Sequence, residues 1–182
     1  MKKEEEIKKL NEEIEKCKKC LLAKTRKNTV PGEGPVSAKI MIIGQAPGAQ
    51  EDKTGKPFVG RAGKLLNQLL AISKIERKKV FITSPIKCFP PKNRKPTKKE
   101  IEICFPWLKK QIEIINPSKI ILLGGVAFSI FFPKKDLKDF RGKWMKLDNK
   151  EFFITYHPAA GLRFPRIKKI LEKDFQLLTF KK

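Results

Sequence analysis

The sequence predicts an α/β fold of three layers, α/β/α, around a central and mainly parallel sheet of four strands. Four short apolar runs of strand length recur along the chain, and segments with apolar residues at helical spacing separate them. Strands that alternate with helices pair in parallel and are covered by helices on both faces. Since 182 residues fit one domain, we expect a single domain over residues 1–182 with an N-terminal helix.

The predicted elements follow in order. Apolar residues at positions 7, 10 and 14 recur among charges and predict a helix over residues 3–16. Apolar runs bounded by turn residues predict strands at residues 39–44, 80–83, 119–123 and 151–156. Further helices are predicted from about residue 62, after residue 97, and over residues 166–178. Thr97 and Glu100 have the spacing of a capping box, which predicts that the second of these three helices starts directly after Thr97.

The charge balance indicates a polyanionic partner. Lys and Arg total 42 against 19 Asp and Glu, a formal net charge of +23. Nucleic acid is therefore the expected partner. A lysine-rich surface of the heat-adapted kind is the alternative, but there the acids rise with the lysines. A membrane surface is the weaker alternative, because no long basic amphipathic helix stands apart from the core pattern.

The four cysteines predict metal ligands in a reducing compartment. The first residues lack the apolar region of a signal peptide, so we expect a cytoplasmic protein. Cys17 and Cys20 form a C-x2-C pair, whereas Cys88 and Cys104 come from a loop and a helix start. Four thiolates suit either a zinc ion or an iron–sulfur cluster, and buried free thiols are a third possibility. Spacing alone leaves these possibilities open.

Two motifs follow predicted strands. Residues 44–63 read G-Q-A-P-G-A-Q-E-D-K-T-G-K-P-F-V-G-R-A-G, which matches neither the P-loop nor G-x-G-x-x-G, so nucleotide binding is disfavoured. Phe58 in this segment is either a core residue or a stacking platform. His157, the only histidine, is either incidental or part of a site. Because ligands bind beyond the carboxyl ends of parallel strands, the segments at Gly44, Ser84 and His157 should converge.

Three sequence blocks together resemble the family 4 uracil-DNA glycosylases, the iron–sulfur branch of that superfamily. They are G-Q-A-P-G through G-K-P-F-V-G-R-A-G, I-T-S-P-I-K-C-F-P-P-K-N-R-K-P and T-Y-H-P-A-A-G-L-R-F-P. The likeness runs from about Cys17 to the chain end. It implies a uracil-DNA glycosylase-like fold and an enzyme that removes uracil from single- or double-stranded DNA, leaving an abasic site for base-excision repair. It also implies a [4Fe–4S] cluster on the four cysteines. We expect a monomer with no membrane partner.

The resemblance also implies roles for individual residues. Phe58 would stack on the extruded base, and Gln45 and Ala46 would contact the base and the attacking water. Ser84 would face the edge of the base. His157 would donate a hydrogen bond to uracil O2, so that Gln45 and His157 are the candidate catalytic residues.

Four further residues are expected to contact DNA. Leu162 and Arg163 resemble the loop that inserts into the duplex, where an apolar side chain fills the gap left by the flipped base. Lys87 and Arg94 are expected to contact phosphates.

Two positions depart from the family pattern. Gln45 stands where the family usually has a Glu, and an amide cannot take a proton from water. General-base assistance is typically worth about 10²–10⁴-fold, with Glu51 and Asp52 as possible substitutes. Ser84 stands where the family usually has an Asn, and a hydroxyl has one donor only. The alternative hypothesis is therefore a relative that binds damaged DNA with weakened or no catalytic activity, or with altered base specificity.

Overall fold

The computed structural model describes residues 2–178 and confirms the three-layer α/β/α fold. The sheet has five strands, one more than expected, and their order across the sheet is β2-β1-β3-β5-β4. The strands are β1 (Ile40–Ile43), β2 (Val80–Thr83), β3 (Lys119–Leu123), β4 (Trp144–Leu147) and β5 (Lys150–Thr155). The pairs β1–β2, β1–β3 and β3–β5 are parallel, whereas β4 runs antiparallel to β5. The sheet is therefore mainly parallel, as expected.

The helices include the four expected from the sequence and four short ones that it does not predict. They are α1 (Lys2–Glu15), α2 (Ala49–Thr54), α3 (Arg61–Ile72), α4 (Lys98–Ile115), α5 (Gly125–Phe131), α6 (Leu137–Phe140), α7 (Pro158–Arg163) and α8 (Pro165–Gln176). Helix α4 starts at the expected capping box, because Thr97 Oγ1 accepts the Glu100 N–H at 3.2 Å and the Glu100 carboxylate accepts the Thr97 N–H at 2.8 Å. Within residues 2–178, no helix is both long and apolar enough to cross a membrane.

Side chains of the inner strands alternate between two cores. Met41 and Ile43 of β1 pack into the core that also contains residues of α1 and α4. Ile42 packs into the opposite core, together with residues of α3 and α8. All three are fully buried, and burying such a side chain typically contributes about 1.5–3 kcal/mol. The sheet is thus covered on both faces, which is why its strands read as continuous apolar runs.

Strand β4 lies at an edge of the sheet and is amphipathic. Trp144 and Lys146 are exposed, whereas Met145 and Leu147 are partly buried. Four residues with only two apolar side chains on the inner face do not form the apolar run expected of a buried strand. This is why the sequence predicts four strands rather than five.

The parallel strands end at the same edge of the sheet. Ile43 of β1 pairs with Thr83 of β2, and Leu123 of β3 pairs with Thr155 of β5. The segments that follow these strands are therefore neighbours, which confirms the expected convergence.

Lys87 is buried, so the expectation that it contacts DNA phosphates is wrong. The residue is 1 % exposed. Its Nζ donates to the carbonyl oxygens of Pro31 (3.1 Å) and Ser84 (2.7 Å) and to Gln111 Oε1 (2.7 Å), and lies 2.6 Å from Thr83 Oγ1. Burial lowers the pKa of Lys87 to about 7, so the amine is only partly charged at neutral pH, and these partners satisfy it in its buried place. Lys87 thus joins the segment before β1, the end of β2 and helix α4.

We expect the Lys87→Met variant to be destabilised by about 2–3 kcal/mol, because the carbonyl of Ser84 and the amide of Gln111 lose a charged donor in a buried place. For a protein of this size the melting temperature should fall by about 4–12 °C, measured by circular dichroism. Lys98→Met is the control, since the Lys98 side chain is 93 % exposed. Equal melting temperatures for the two variants would contradict the role of Lys87.

Candidate active site

The segments after β1, β2 and β5 line an open cleft of about 530 Å³. This volume lies within the usual range of small-molecule sites. The cleft contains all five residues expected to bind uracil: Gln45, Ala46, Phe58, Ser84 and His157. Leu162 also lines it and is 41 % exposed.

Phe58 is held in a backbone conformation that bulky residues rarely adopt. Its φ angle is +52°. Two glycines leave room for it: a Cβ at Gly63 would lie 1.8 Å from the Phe58 carbonyl oxygen, and one at Gly44 would lie 2.8 Å from the phenyl ring. Strain of this kind persists only where the surroundings enforce it. The packing of the loop therefore fixes the position of the ring in the cleft.

Glu51 closes the loop that carries Phe58. Its Oε1 accepts the N–H groups of Val59 (2.9 Å) and Gly60 (2.8 Å), and its Oε2 accepts the Gly48 N–H (3.1 Å). The adjacent Asp52 is 5 % exposed and accepts backbone N–H groups of the loop before β1. Both carboxylates therefore hold the backbone in place, and Glu51 also lines the cleft.

His157 precedes α7 as its N-cap and stacks against Phe58. The two ring centroids are 5.6 Å apart with an interplanar angle of 29°. Nδ1 of His157 accepts the Ala159 N–H at 3.1 Å, so in the neutral ring the proton lies on Nε2. Burial lowers the pKa of His157 to about 4, although the Glu51 carboxylate opposes the shift. The ring is therefore a neutral Nε2–H donor at pH 7.

Ser84 presents only an acceptor to the cleft. It is 7 % exposed, and its hydroxyl donates to the Ile86 carbonyl oxygen at 2.6 Å. A serine hydroxyl has a single proton. Toward a ligand, Ser84 Oγ can therefore only accept a hydrogen bond.

Gln45 and Ala46 bring free backbone donors to the cleft. Neither N–H group has an acceptor within the part of the chain that the structure describes. Both residues are partly exposed and line the cleft. Their amides are therefore available to a ligand.

The residues expected to contact DNA divide into three groups. Leu162 and Arg163, in α7, are exposed. Arg94 donates two hydrogen bonds, of 2.9 and 2.7 Å, to the Glu100 carboxylate, and these lower the pKa of that carboxyl to about 2. Its guanidinium, 42 % exposed, thus already fixes the loop before α4. Lys87 is buried, as described above.

The structure brings the four cysteines to one small cavity between α1 and α4. Cys17 and Cys20 are partly buried, and Cys88 and Cys104 are buried. Arg26 donates to Cys88 Sγ at 3.2 Å. The backbone N–H of the residue before Cys88 donates to Cys104 Sγ at 3.4 Å. All four are free thiols lying outside the cleft residues.

Four thiols that line one small cavity are the donor set of either a zinc ion or an iron–sulfur cluster. Among residues 2–178, no three side chains of the metal-binding types lie close enough together to hold a single metal ion. Burial raises the pKa of the Cys104 thiol to about 12 and also raises that of Cys88. At neutral pH these two thiols are therefore protonated, and metal binding would release their protons.

Two residues near the cleft are not singled out by the sequence analysis. Asn93 lines the cleft with a φ of +55°, and only its place after two prolines signals a turn. Phe164 is 51 % exposed and follows the pair expected to enter DNA. An exposed aromatic residue gives no periodic signal.

Comparison with known proteins agrees with the geometry. The family described as Uracil DNA glycosylase superfamily matches residues 31–178. The chain is 48% identical over 181 aligned residues to the type-4 uracil-DNA glycosylase of Sulfurisphaera tokodaii, which covers 93% of this chain and 82% of that protein. The type-4 enzyme of Saccharolobus solfataricus is 49% identical over 175 residues (91% and 81%), and that of Thermotoga maritima 43% over 172 (92% and 90%). The chain therefore belongs to the type-4 family of the uracil-DNA glycosylase superfamily.

Proposed function

We propose that this protein is a uracil-DNA glycosylase that hydrolyses the N-glycosidic bond between uracil and deoxyribose and leaves an abasic site for base-excision repair. The observation that carries the proposal is the stacked pair of Phe58 and neutral His157 in the cleft at the strand ends. Membership of the type-4 family supports it. The relatives named above give no support to the alternative of a non-catalytic damage-binding protein.

Uracil would enter the cleft as an extruded nucleotide. Extrusion costs a few kcal/mol, which contacts in the pocket must offset. The Phe58 ring supplies a face on which the base can stack, worth about 1–3 kcal/mol in comparable sites. Because the loop already holds this ring in a strained conformation, the base meets a preformed platform.

Bond cleavage places negative charge on the leaving group. The oxygen of a water molecule bonds to C1′, the bond from C1′ to N1 breaks, and its electron pair moves into the uracil ring and onto O2. The Nε2–H of His157 donates to O2 and stabilises this charge more in the transition state than in the ground state. The amide oxygen of Gln45 orients the water by accepting a hydrogen bond, and the proton of the water passes to solvent.

Ser84 would read the edge of the base by accepting a hydrogen bond. Uracil has a donor at N3, whereas cytosine has an acceptor there. The Ser84 hydroxyl already donates its proton to the Ile86 carbonyl oxygen. If cytosine entered, its N3 and Ser84 Oγ would both be acceptors and would repel each other. The site therefore discriminates by repulsion, without the amide usual in the family.

We propose that Cys17, Cys20, Cys88 and Cys104 hold a [4Fe–4S] cluster. When bound, the cluster would supply iron–thiolate cross-links between α1, the loop after β2 and α4. Leu162 would fill the gap in the duplex, and Arg163 and Arg94 would contact phosphates around it. We further propose one domain, a monomer, and a cytoplasmic location, in which the four free thiols would stay reduced.

The proposed function is tested by incubating the purified protein with uracil-containing single- and double-stranded oligonucleotides. Alkali-labile abasic sites should form in both and be absent from thymine-containing controls. Tight binding to uracil DNA without any abasic sites would instead establish the non-catalytic alternative.

The Gln45→Glu variant should excise uracil at least about tenfold faster in single-turnover reactions, because it adds a general base beside the water. Ser84→Asn should increase the selectivity for uracil over cytosine by restoring a donor. Gln68→Glu, an exposed residue of α3, is the matched control and should leave the rate unchanged. If Gln45→Glu is no faster than Gln68→Glu, water activation does not limit the reaction.

His157 should remain neutral from about pH 5 upward, so its protonation should not alter the excision rate between pH 5.5 and 8. As it is the only histidine, nitrogen NMR of histidine-labelled protein reports its tautomer and pKa directly. The folded pKa of about 4 lies below the unfolded value of about 6.5, so the free energy of unfolding falls as the pH drops from 6.5 to 4. His157→Gln should remove that part of the pH dependence. A midpoint near 6.5 in the folded protein would refute this account.

Protein purified without oxygen should contain about four irons and about four sulfides per chain, measured by elemental and sulfide analysis. Cys104→Ser should lose iron and lower the melting temperature, since a cross-link to α4 is removed. One equivalent of zinc with no sulfide would show that the cavity holds a single ion.

A further inference from the structure

Phe164 is an exposed aromatic residue at the junction of α7 and α8. The residue is 51 % exposed. Its backbone serves both helices, because its N–H donates to the Ala160 carbonyl at 2.9 Å and its own carbonyl accepts the Ile167 N–H at 2.9 Å. These bonds do not depend on the side chain.

The side chain at this position does not help α8 to start. Phe164 is the N-cap of α8, and its side chain makes no capping hydrogen bond. Ser, Thr, Asp and Asn are the favoured residues at an N-cap because their oxygens accept a free N–H of the first turn. The chain therefore gives up a stabilising cap and exposes an apolar ring instead.

The surroundings of Phe164 are those of a DNA-binding surface. Leu162, at the cleft, is also an exposed apolar residue. The guanidinium carbon of Arg163 lies 5.4 Å from the centroid of the Phe164 ring, at the distance of a cation–π contact. Exposed basic side chains follow on α8, at Arg166 and Lys168. Phosphates beside the ring would therefore meet positive charge.

Helix α8 is anchored to the sheet, so the backbone that carries the Phe164 ring is held in place. The carboxylate of the buried Asp174 accepts a hydrogen bond from Thr155 Oγ1 at 2.6 Å and forms an ion pair with Arg141. A Cβ at Gly161 of α7 would lie 2.8 Å from the Leu171 side chain of α8, which shows how closely the two helices pack.

We propose that Phe164 is a stacking platform for an unpaired base of single-stranded DNA, next to the nucleotide that occupies the cleft. Arg163 lies over the ring, and the residue as a whole is 51 % exposed, so its side chain is accessible to a base. A base in a duplex is already stacked on both faces, whereas an unpaired base has a face to offer. The inference rests on the proposed function, since the cleft must receive a nucleotide of the same strand.

The test measures binding of uracil-free, single-stranded oligonucleotide by fluorescence anisotropy, so that no excision occurs. Phe164→Ala should weaken binding by about 5- to 150-fold, the range found for loss of one stacked base. Phe164→Trp should keep the affinity within a few-fold. Leu177→Ala is the matched control, because Leu177 is 58 % exposed just beyond the other end of α8. Equal affinities for Phe164→Ala and Leu177→Ala would overturn the proposal.

Salt dependence separates stacking from charge. Phe164→Ala should leave the slope of log affinity against log salt unchanged, whereas Arg163→Ala should reduce it by about 0.7, the value for one phosphate on a single strand. Phe164→Asn should weaken binding as Phe164→Ala does while keeping or raising the melting temperature, since Asn caps α8. A weakened affinity that follows a lowered melting temperature would show a structural role only.

Failure of this inference and failure of the proposed function give different results. If wild-type protein forms no abasic sites but Phe164→Ala still loses affinity for single strands, the glycosylase proposal fails and the platform stands. If wild-type protein excises uracil and Phe164→Ala binds normally, the platform fails alone.

Discussion

The buried amine of Lys87 joins three chain segments: the segment before β1, the end of β2 and helix α4. It binds the carbonyl of Ser84, whose hydroxyl lies in the cleft, while the backbone N–H of Lys87 reaches Cys104 Sγ at 3.4 Å. One residue therefore lies between the cleft and the cysteine cavity. Because a buried amine loses free energy when its hydrogen-bond partners are removed, separating these segments is unfavourable. The position of Ser84 thus depends on the packing around the cysteines.

The other side of the cleft depends on a second constraint, the strained backbone of Phe58. Gly63 and Gly44 make room for this residue, and Glu51 ties its loop to the start of α2 with three hydrogen bonds. The ring then stacks on His157, whose tautomer is set by the N–H of Ala159. Backbone groups rather than mobile side chains hold these functional atoms, so little reorganisation is needed when a base arrives.

The sequence predicts the parallel strands well because both faces of each are buried, so that Ile40–Ile43 reads as an unbroken apolar run. It misses β4 because an edge strand needs only one apolar face. It misplaces Lys87 because its partners Pro31 and Gln111 lie 56 and 24 residues away, and composition alone favours an exposed lysine. The resemblance named the residues of the cleft. Only the structure shows which of their donors are already used, because that depends on neighbours such as Ile86.

Because position 45 has no carboxylate, the proposed reaction depends mainly on stabilising the departing uracil anion rather than on deprotonating water. General-base assistance and one donor at a developing oxyanion are of comparable size, about 10²–10⁴-fold and about 10²–10³-fold. In the proposed mechanism His157 supplies the second, since burial lowers its pKa to about 4 and the proton of its neutral ring lies on Nε2. A neutral donor interacts weakly with the uncharged base and strongly with the departing anion, so its contribution grows as the bond breaks. In the proposed mechanism, cleavage proceeds with water that the Gln45 amide holds close to C1′ without deprotonating it, whereas a carboxylate at this position would add general-base assistance and raise the rate.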